Sequence, residues 1–214
     1  MFVKERMTAN PITTTENTPI AEAGEILRKH SFSRLPVMKD DKLVGIITRD
    51  DLLKVSPSEA TTLSVWELNY VLSKLTVKDA MTKNPITINP ENTLEEAALI
   101  MRNRGVGALP VVDDKGKLVG IITESDIFDA FLDLMGLKHT GTRLTMDIED
   151  RIGVIADITE TIKANGFNII SMAIFHRNNT TGELVIRLDS PQSEKLINDL
   201  KAKGCKIIHI AKWN

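Results

Sequence analysis

The 214-residue chain is 42% hydrophobic, an ordinary fraction for a globular protein of two compact modules, and its 27 basic and 29 acidic residues give a net charge of −2. The charges are interspersed, which excludes the basic stripe of a nucleic-acid-binding surface. The single cysteine, Cys205, excludes an internal disulfide framework, and no apolar run reaches the ~18 residues of a membrane span. We therefore expect a soluble cytoplasmic protein with neither nucleic acid nor a membrane as partner.

The first two thirds of the chain contain one sequence pattern twice. Three blocks recur in the same order: Met7-Thr8-Ala9-Asn10-Pro11-Ile12-Thr13 as Met81-Thr82-Lys83-Asn84-Pro85-Ile86-Thr87, Leu35-Pro36-Val37 as Leu109-Pro110-Val111, and the segment 43–51 as 118–126. The offset is 74 residues for the first two blocks and 75 for the third, a slip that Gly116 most simply explains. Such self-similarity predicts one structural unit used twice, with related sites near the junction.

Within each copy, the pattern predicts an extended Ile-Thr segment, a helix, a short strand, a charged turn, a second strand and a second helix. In the first copy, Thr18 is expected to cap the helix, with Pro19 at the first helical position. In the second copy, Thr93 and Glu96 form a capping-box pattern. Each copy is therefore predicted to be a β-α-β-β-α unit.

A bridging helix is predicted between the copies, because Val65, Leu68, Leu72 and Leu75 recur at helical spacing within residues 56–75. Beyond the second copy, alternating strands and two amphipathic helices predict a ferredoxin-like βαββαβ domain. The overall class is therefore α/β (α+β). The predicted organisation is 1–60 for the first unit, 61–80 for the bridging segment, 81–134 for the second unit, 135–141 for a linker and 142–214 for the last domain.

Each copy ends its second strand in Gly-Ile-Ile-Thr-x-x-Asp, where a helix is predicted to begin. The hydroxyl of Thr48 or Thr123, together with free backbone N–H groups, suits a phosphate. The carboxylate of Asp51 or Asp126 suits the vicinal diol of a ribose. The residues also fit a simpler interpretation, in which the threonines begin helices and the aspartates occupy a favourable first turn.

Taken in order, the repeated blocks resemble the CBS (cystathionine-β-synthase-type) domain, present as a tandem Bateman pair over about residues 1–133. In that family the threonine contacts phosphate, the aspartate holds ribose hydroxyls, and adenine lies against the Ile-Thr and Leu-Pro-Val segments. The resemblance implies AMP, ADP or ATP as a regulatory ligand. It assigns the binding residues Ile12, Thr13, Arg34, Pro36, Val37, Thr48 and Asp51 in the first copy, and Ile86, Thr87, Pro110, Val111, Thr123, Ser125 and Asp126 in the second.

The two copies differ in charge at the positions next to these motifs. Arg34 stands where some CBS domains have a phosphate-binding cation, and its counterpart is Ala108. Asp50 corresponds to Ser125, and a second carboxylate repels a phosphate. Arg49 is replaced by Glu124 in the second copy. The sequence does not decide which copy offers the better site.

The segment 147–156, followed by Asn165-Gly166-Phe167-Asn168-Ile169, resembles the ACT domain, which binds amino acids or similar small effectors, commonly at a subunit interface. The resemblance assigns effector contacts to Asp150, Arg151, Gly153 and Asn168, although Ile152 replaces the proline that is common there. Dimerisation without a ligand is the alternative role. The order of two CBS domains and one ACT domain resembles the acetoin-utilisation B-type regulatory proteins.

We find no sequence signature of catalysis. The four histidines lie far apart without metal-ligand spacing, and no phosphate-binding loop or nucleophile motif occurs. We therefore expect a non-enzymatic homodimer without metal or cofactor, which senses adenine nucleotides at the CBS pair and uses the ACT domain for an amino-acid-like effector or for dimerisation. The alternative is an assembly module with vestigial sites that docks on a metabolic enzyme or transporter.

Overall fold

The computed structural model describes residues 1–55, 74–177, 180–190 and 194–213. These residues form two compact units, Met1–Ile127 and Phe128–Asn214. The predicted bridging helix falls outside the described residues except for its last two positions. The sequence also predicts a turn over residues 178–182, of which 178 and 179 lie outside the described residues. The domain bounds given above remain predictions.

The first copy forms a sheet covered by a helix. Its elements are α1 (Val3–Arg6), β1 (Thr8–Ala9), β2 (Thr14–Thr15), α2 (Ile20–Lys29), β3 (Arg34–Lys39), β4 (Lys42–Thr48) and α3 (Arg49–Val55). Ala23 and Leu27 of α2 pack against buried β3 and β4 side chains. Pro19 occupies the N-cap position rather than the first helical turn, and Thr18 Oγ1 accepts a hydrogen bond from Thr15 N–H instead of capping α2.

The second copy repeats this arrangement with α4 (Val77–Ala80), β5 (Thr82–Lys83), α5 (Leu94–Arg104), β6 (Ala108–Val112), β7 (Leu118–Thr123) and α6 (Glu124–Leu134). The predicted capping box is present, since Glu96 N–H donates to Thr93 Oγ1 and Thr93 N–H donates to Glu96 Oε2. The extended segment after the Asn-Pro turn is reduced to a single bridge between Ile88 and Val111.

The beginning of each copy belongs to the sheet of the other copy. β1 pairs with β7, and β5 pairs with β4, which gives the sheets β1-β7-β6 and β2-β3-β4-β5. The backbone hydrogen bonds repeat with the same symmetry: Val3 N–H donates to the Asn92 carbonyl, and Val77 N–H to the Thr18 carbonyl, both at 2.9 Å. We call residues 1–10 and 75–84 the exchanged segments.

A methionine and a glycine fix each exchanged segment in place. A Cβ built on Gly120 would lie 2.4 Å from Met7 Sδ, and one built on Gly45 would lie 2.5 Å from Met81 Sδ. Each methionine therefore occupies the space that a side chain on the facing strand would need. Asn10 and Asn84 then turn the chain with φ of 48°, a left-handed conformation that asparagine tolerates.

The second unit is an antiparallel sheet with two helices. Its elements are β8 (Gly141–Glu149), α7 (Val154–Ala164), β9 (Ile169–His176), β10 (Thr181–Leu188), α8 (Glu194–Ala202) and β11 (Lys206–Trp213). The strand order is β11-β8-β10-β9, and the helix-facing side chains include Leu144, Met146 and Ile186. This arrangement confirms the predicted ferredoxin-like fold, and the two units together confirm the predicted fold class.

Candidate functional site

A cavity of about 520 Å³ lies between the two copies. Its wall combines the ends of β4 and α3 from the first copy with the Asn-Pro turn and the α5–β6 loop of the second. The lining residues are Ser33, Arg34, Ile46, Thr48, Arg49, Asp50, Asp51, Lys54, Thr82, Asn84, Pro85, Ile86, Gly105, Val106, Gly107 and Ala108. We call it the large cavity; its volume falls within the ~300–1,000 Å³ typical of small-molecule sites.

Thr48 and Asp51 form a capping box at the start of α3. Thr48 N–H and Oγ1 donate to Asp51 Oδ2 at 3.1 and 2.7 Å, and Asp51 N–H donates to Thr48 Oγ1 at 3.2 Å. Asp51 Oδ1 accepts a hydrogen bond from Lys54 at 3.2 Å. Burial raises the pKa of Asp51, but the hydrogen bonds from Thr48 and Lys54 outweigh it, so the pKa is lowered overall. The carboxylate is thus held ionised at neutral pH.

The wall of the large cavity has a charged part and an apolar part. Arg34, Arg49 and Lys54 bring positive charge to its wall, against the carboxylates of Asp50 and Asp51. Ile46, Pro85, Ile86 and Val106 supply the apolar part. Such a wall suits a ligand that has a flat apolar part and an anionic group.

A second, smaller cavity of about 190 Å³ lies next to the corresponding motif of the second copy. It is lined by Thr8, Pro11, Ile12, Ser31, Phe32, Ser33, Arg34, Pro36, Ile121 and Thr123. Thr123 forms a capping box with Asp126, whose Oδ2 accepts hydrogen bonds from Thr123 N–H at 2.8 Å and from Thr123 Oγ1 at 2.7 Å. We call it the small cavity.

The structure pairs the predicted site residues across the copies. Ile86 lies with Thr48 in the large cavity, and Ile12 lies with Thr123 in the small one. The exchanged segments cause this pairing, because the Asn-Pro turn of each copy follows a strand in the sheet of the other copy. A site with the motif and the Ile-Thr segment of the same copy is therefore not formed.

Val37 and Val111 do not line either cavity, contrary to the predicted contacts with adenine. Both side chains are fully buried in their cores, with 0% exposure. Side chains alternate along a strand, so Val37 points to the helix side with Leu35, while Pro36 points to the small cavity. The remaining predicted residues Thr13, Thr87, Pro110, Ser125 and Asp126 are not among the lining side chains of these two cavities.

Several lining residues escaped the sequence analysis. The segment 105–107 was interpreted only as a helix stop, which it is, since Gly105 caps α5 with a left-handed φ of 64°. The same loop also forms one wall of the large cavity. Asn84 was missed because its proximity to Thr48 depends on the strand exchange, which leaves no local signal. Lys54 was missed although it lies one turn of α3 after Asp51, a spacing that the sequence itself shows.

The four residues predicted to bind an effector in the second unit do not meet in one chain. Asp150, Arg151 and Gly153 follow β8 at the end of the sheet where Thr181 pairs with Glu149. Asn168 precedes β9 at the opposite end, where its backbone N–H donates to Asp189. The eleven-residue helix α7 carries the chain from one end to the other. A shared effector site for these four residues therefore stays a prediction, and it would need residues from two chains.

The loop at Gly153 is open rather than crowded. A Cβ on Gly153 would have nothing within 4 Å, and the residue is required instead by its φ of 87°. Arg151 donates a hydrogen bond to Asp157 at 2.5 Å, and Asp150 Oδ2 accepts one from His176 Nδ1 at 2.9 Å. Ile152 is completely exposed. The space beside Gly153 is free, so its assignment as an effector contact stays a prediction.

Within the ranges that the structure describes, no three His, Cys, Asp or Glu side chains are grouped so that they could hold a metal ion. Over the same ranges, no helix is long and apolar enough to cross a membrane.

Comparison with protein families matches the repeats and the second unit separately. Residues 3–58 and 77–133, together more than half of the chain, match the CBS domain. The chain belongs to the CBS-domain family. Residues 140–211 match the TTHA0829-like ACT domain, which agrees with the strand order of the second unit.

Two curated relatives illustrate how the CBS pair is used elsewhere. An inosine-5′-monophosphate dehydrogenase of Korarchaeum cryptofilum is 32% identical over 174 residues, which cover 78% of this chain but only 32% of that protein. The uncharacterised protein MJ1426 of Methanocaldococcus jannaschii is 33% identical over 155 residues, covering 62% of this chain and 92% of that protein. The chain thus spans about a third of the first relative and nearly all of the second.

Three solved structures share the CBS-pair fold. CBSX2 in complex with AMP is 32% identical, with a TM-score of 0.52, over 62% of this chain and 96% of that chain. The CBS pair of MJ0100 with 5′-methylthioadenosine and S-adenosylmethionine is 35% identical, with a TM-score of 0.51, over 61% and 95%. A putative acetoin utilisation protein of Vibrio cholerae is 26% identical, with a TM-score of 0.53, over 64% and 95%. The last similarity agrees with the predicted resemblance to acetoin-utilisation B-type proteins.

Proposed function

We propose that the protein is a non-enzymatic regulator that binds an adenine nucleotide in the large cavity. The observation that carries this proposal is the convergence of Thr48, Asp51 and three cations with an apolar wall, in a cavity of about 520 Å³. Similar CBS pairs have been crystallised with AMP and with two other adenosine derivatives, which supports the same ligand class here.

In the proposed complex, each part of the nucleotide meets a matching surface. Adenine would lie against Ile46 and Ile86, and the ribose hydroxyls would donate to Asp51 Oδ1, which only Lys54 contacts among the described hydrogen bonds. The phosphate would accept hydrogen bonds from the nearby guanidinium groups. The Thr48 hydroxyl would join them by turning its hydrogen from Asp51 Oδ2 to the phosphate. Binding bridges the two copies, so it stabilises one arrangement of them through differential affinity.

Calorimetric titration with AMP tests the proposal on the full chain. Asp51→Ala should weaken binding about tenfold or more, because a charge-assisted hydrogen bond is lost. Asp79→Ala is the matched control: Asp79 forms the same capping box with Thr76, at 2.9 Å, but does not line the large cavity. Both variants lose the capping box of a helix, but only Asp51→Ala also loses a proposed contact with the ligand.

Equal weakening by Asp51→Ala and Asp79→Ala would contradict the proposed contact. If the wild-type protein binds no adenine nucleotide at all, the docking module with vestigial sites becomes the better description. In that case the satisfied capping boxes would be the whole role of the Thr-x-x-Asp motifs.

For the ACT domain we propose dimerisation. The supporting observation is that β9 lies at the edge of the described sheet, where one row of its backbone groups faces away from β10 and suits a second copy. Its side chains Met172, Ile174 and Phe175 are exposed by 36–56%. A second copy would also supply an Asn168 that one chain cannot bring to its own Asp150 loop. Light scattering at micromolar concentration should report a homodimer; a monomer would refute this part of the proposal.

A further inference from the structure

Arg34 lies between the two cavities and lines both of them. Its counterpart in the second copy is Ala108, which is buried and lines the large cavity only. Of the residues described around the small cavity, Arg34 is the only one with a positive charge. Arg34 therefore adjoins both cavities, while the equivalent position of the second copy carries no charge. Two symmetrical sites would have a cation at both of these positions or at neither.

Glu124 adds a second difference in charge between the two copies. A Cβ built on Gly107 would lie 3.1 Å from Arg34 Nη1 and 3.1 Å from Glu124 Oε2, so both charged groups flank the same glycine. Glu124 takes the place of Arg49, and it immediately follows Thr123 of the small cavity. The large cavity has Arg49 and Lys54 in addition to Arg34, and these three cations outnumber Asp50 and Asp51 in its wall. Among the described residues that line the small cavity, Arg34 has no second cation beside it, and Glu124 adjoins the motif there.

From this arrangement we infer that Arg34 is shared, and that it makes the two cavities select different ligands. When a phosphate in the large cavity engages Arg34, the small cavity accepts an adenine nucleoside without a 5′-phosphate and disfavours a second nucleotide. The difference in volume, about 520 against 190 Å³, favours the same assignment. This inference rests on the proposed function, since it assigns ligand classes to the same pair of cavities.

Calorimetry with AMP and adenosine as probes tests the inference. The wild-type chain should bind one AMP, with any second AMP at least tenfold weaker, because the second phosphate lacks a charge-assisted partner worth about 10- to 100-fold. Adenosine should bind to the AMP-saturated protein with a stoichiometry of one. Arg34→Gln should weaken AMP binding at the large cavity about tenfold.

A substitution that is expected to strengthen the second AMP step provides a further test. Glu124→Arg places in the second copy the residue that the first has at Arg49, and it should strengthen the second AMP step tenfold or more. Glu124 is exposed, so the substitution leaves the core intact. Glu95→Arg on exposed α5 is the control, since it changes the net charge equally but lines neither cavity.

Different results would overturn different proposals. Two equal AMP sites in the wild type, or the same response from Glu124→Arg and Glu95→Arg, would refute the sharing of Arg34 while leaving nucleotide binding intact. An Arg34→Gln variant with unchanged AMP affinity would also refute it. Absence of binding by both AMP and adenosine would refute the proposed function and this inference together.

Discussion

Replacing Gly120 by alanine tests the exchange of segments between the copies. The new Cβ would lie 2.4 Å from Met7 Sδ, 3.0 Å from Met7 Cγ and 3.2 Å from the carbonyl oxygen of Thr8. Real carbon atoms do not approach sulfur so closely, so Met7 or the strand β1 must move. We expect the variant to fold and to lose stability.

The expected loss of stability depends on whether the atoms next to the new Cβ belong to a side chain or to the backbone. Overpacking by one methyl group costs about 1–3 kcal/mol when the surroundings cannot relax freely. Met7 relieves part of the clash through its side-chain torsions, but the Thr8 carbonyl belongs to a hydrogen-bonded backbone. We therefore expect a loss of about 2 kcal/mol in the free energy of unfolding for Gly120→Ala.

Urea unfolding of single and double variants isolates the contact. In a Met7→Ala background the sulfur is absent, so Gly120→Ala should cost less than about 1 kcal/mol, which leaves a coupling energy of about 1–2 kcal/mol. Gly24→Ala is the control: its Cβ would meet Leu52 at an ordinary 3.5 Å, and alanine favours the helix α2, so stability should rise by up to about 1 kcal/mol.

The reasoning fails if Gly120→Ala costs the same with and without Met7. Such a result would mean that Met7 does not pack on β7, and that the exchange of β1 between the copies is absent in solution.

Three further predictions concern single positions. Thr14 is buried with no hydrogen-bond partner for Oγ1, and its counterpart in the second copy is Ile88; Thr14→Val should raise the free energy of unfolding by about 1 kcal/mol in urea titrations. Burial is the largest single influence on the pKa of Asp51 and raises it, but the hydrogen bonds from Thr48 and Lys54 together lower the pKa overall. The stabilising contribution of Asp51 is therefore present above about pH 4 and is lost as the pH falls through the lowered folded-state pKa; Asp51→Asn should flatten that loss in urea midpoints measured from about pH 6 to 2. Asp40 and Asp41 both have positive φ in the hairpin turn between β3 and β4, so Asp41→Gly should stabilise the protein by about 0.5–1 kcal/mol in thermal unfolding.

The sequence predicted those elements whose signal is local. The capping box at Thr93 and Glu96, the alternating strands of the second unit and the helix stop at Gly105 all depend on neighbours a few residues away. The strand exchange has no such signal. β1 and β5 are two residues long, and neither periodicity nor propensity indicates which sheet a strand of that length joins.

The same limit explains where the structure places the predicted site residues differently from the sequence pattern. The motif residues Thr48 and Asp51 were identified, but their partner Ile86 comes from the other copy. Pro36 and Val37 were both assigned from the Leu-Pro-Val segment of the family pattern, although adjacent residues of a strand face opposite sides. Asn168 was grouped with the Asp150 loop by family resemblance, which carries no information on the distance between them within one chain.

The exchanged segments give the repeat an evolutionary consequence. A chain that contained only one copy would leave the groove at its glycine unfilled and its own methionine without a place to pack. It would reach the same fold only by exchanging its first ten residues with a second molecule, as in a domain-swapped dimer. The stability of that dimer would depend on protein concentration. Joining two copies in tandem makes this exchange of segments intramolecular, so the pairing of the copies does not depend on protein concentration. Each copy was then free to change its charges separately, as Arg34 and Ala108 have done.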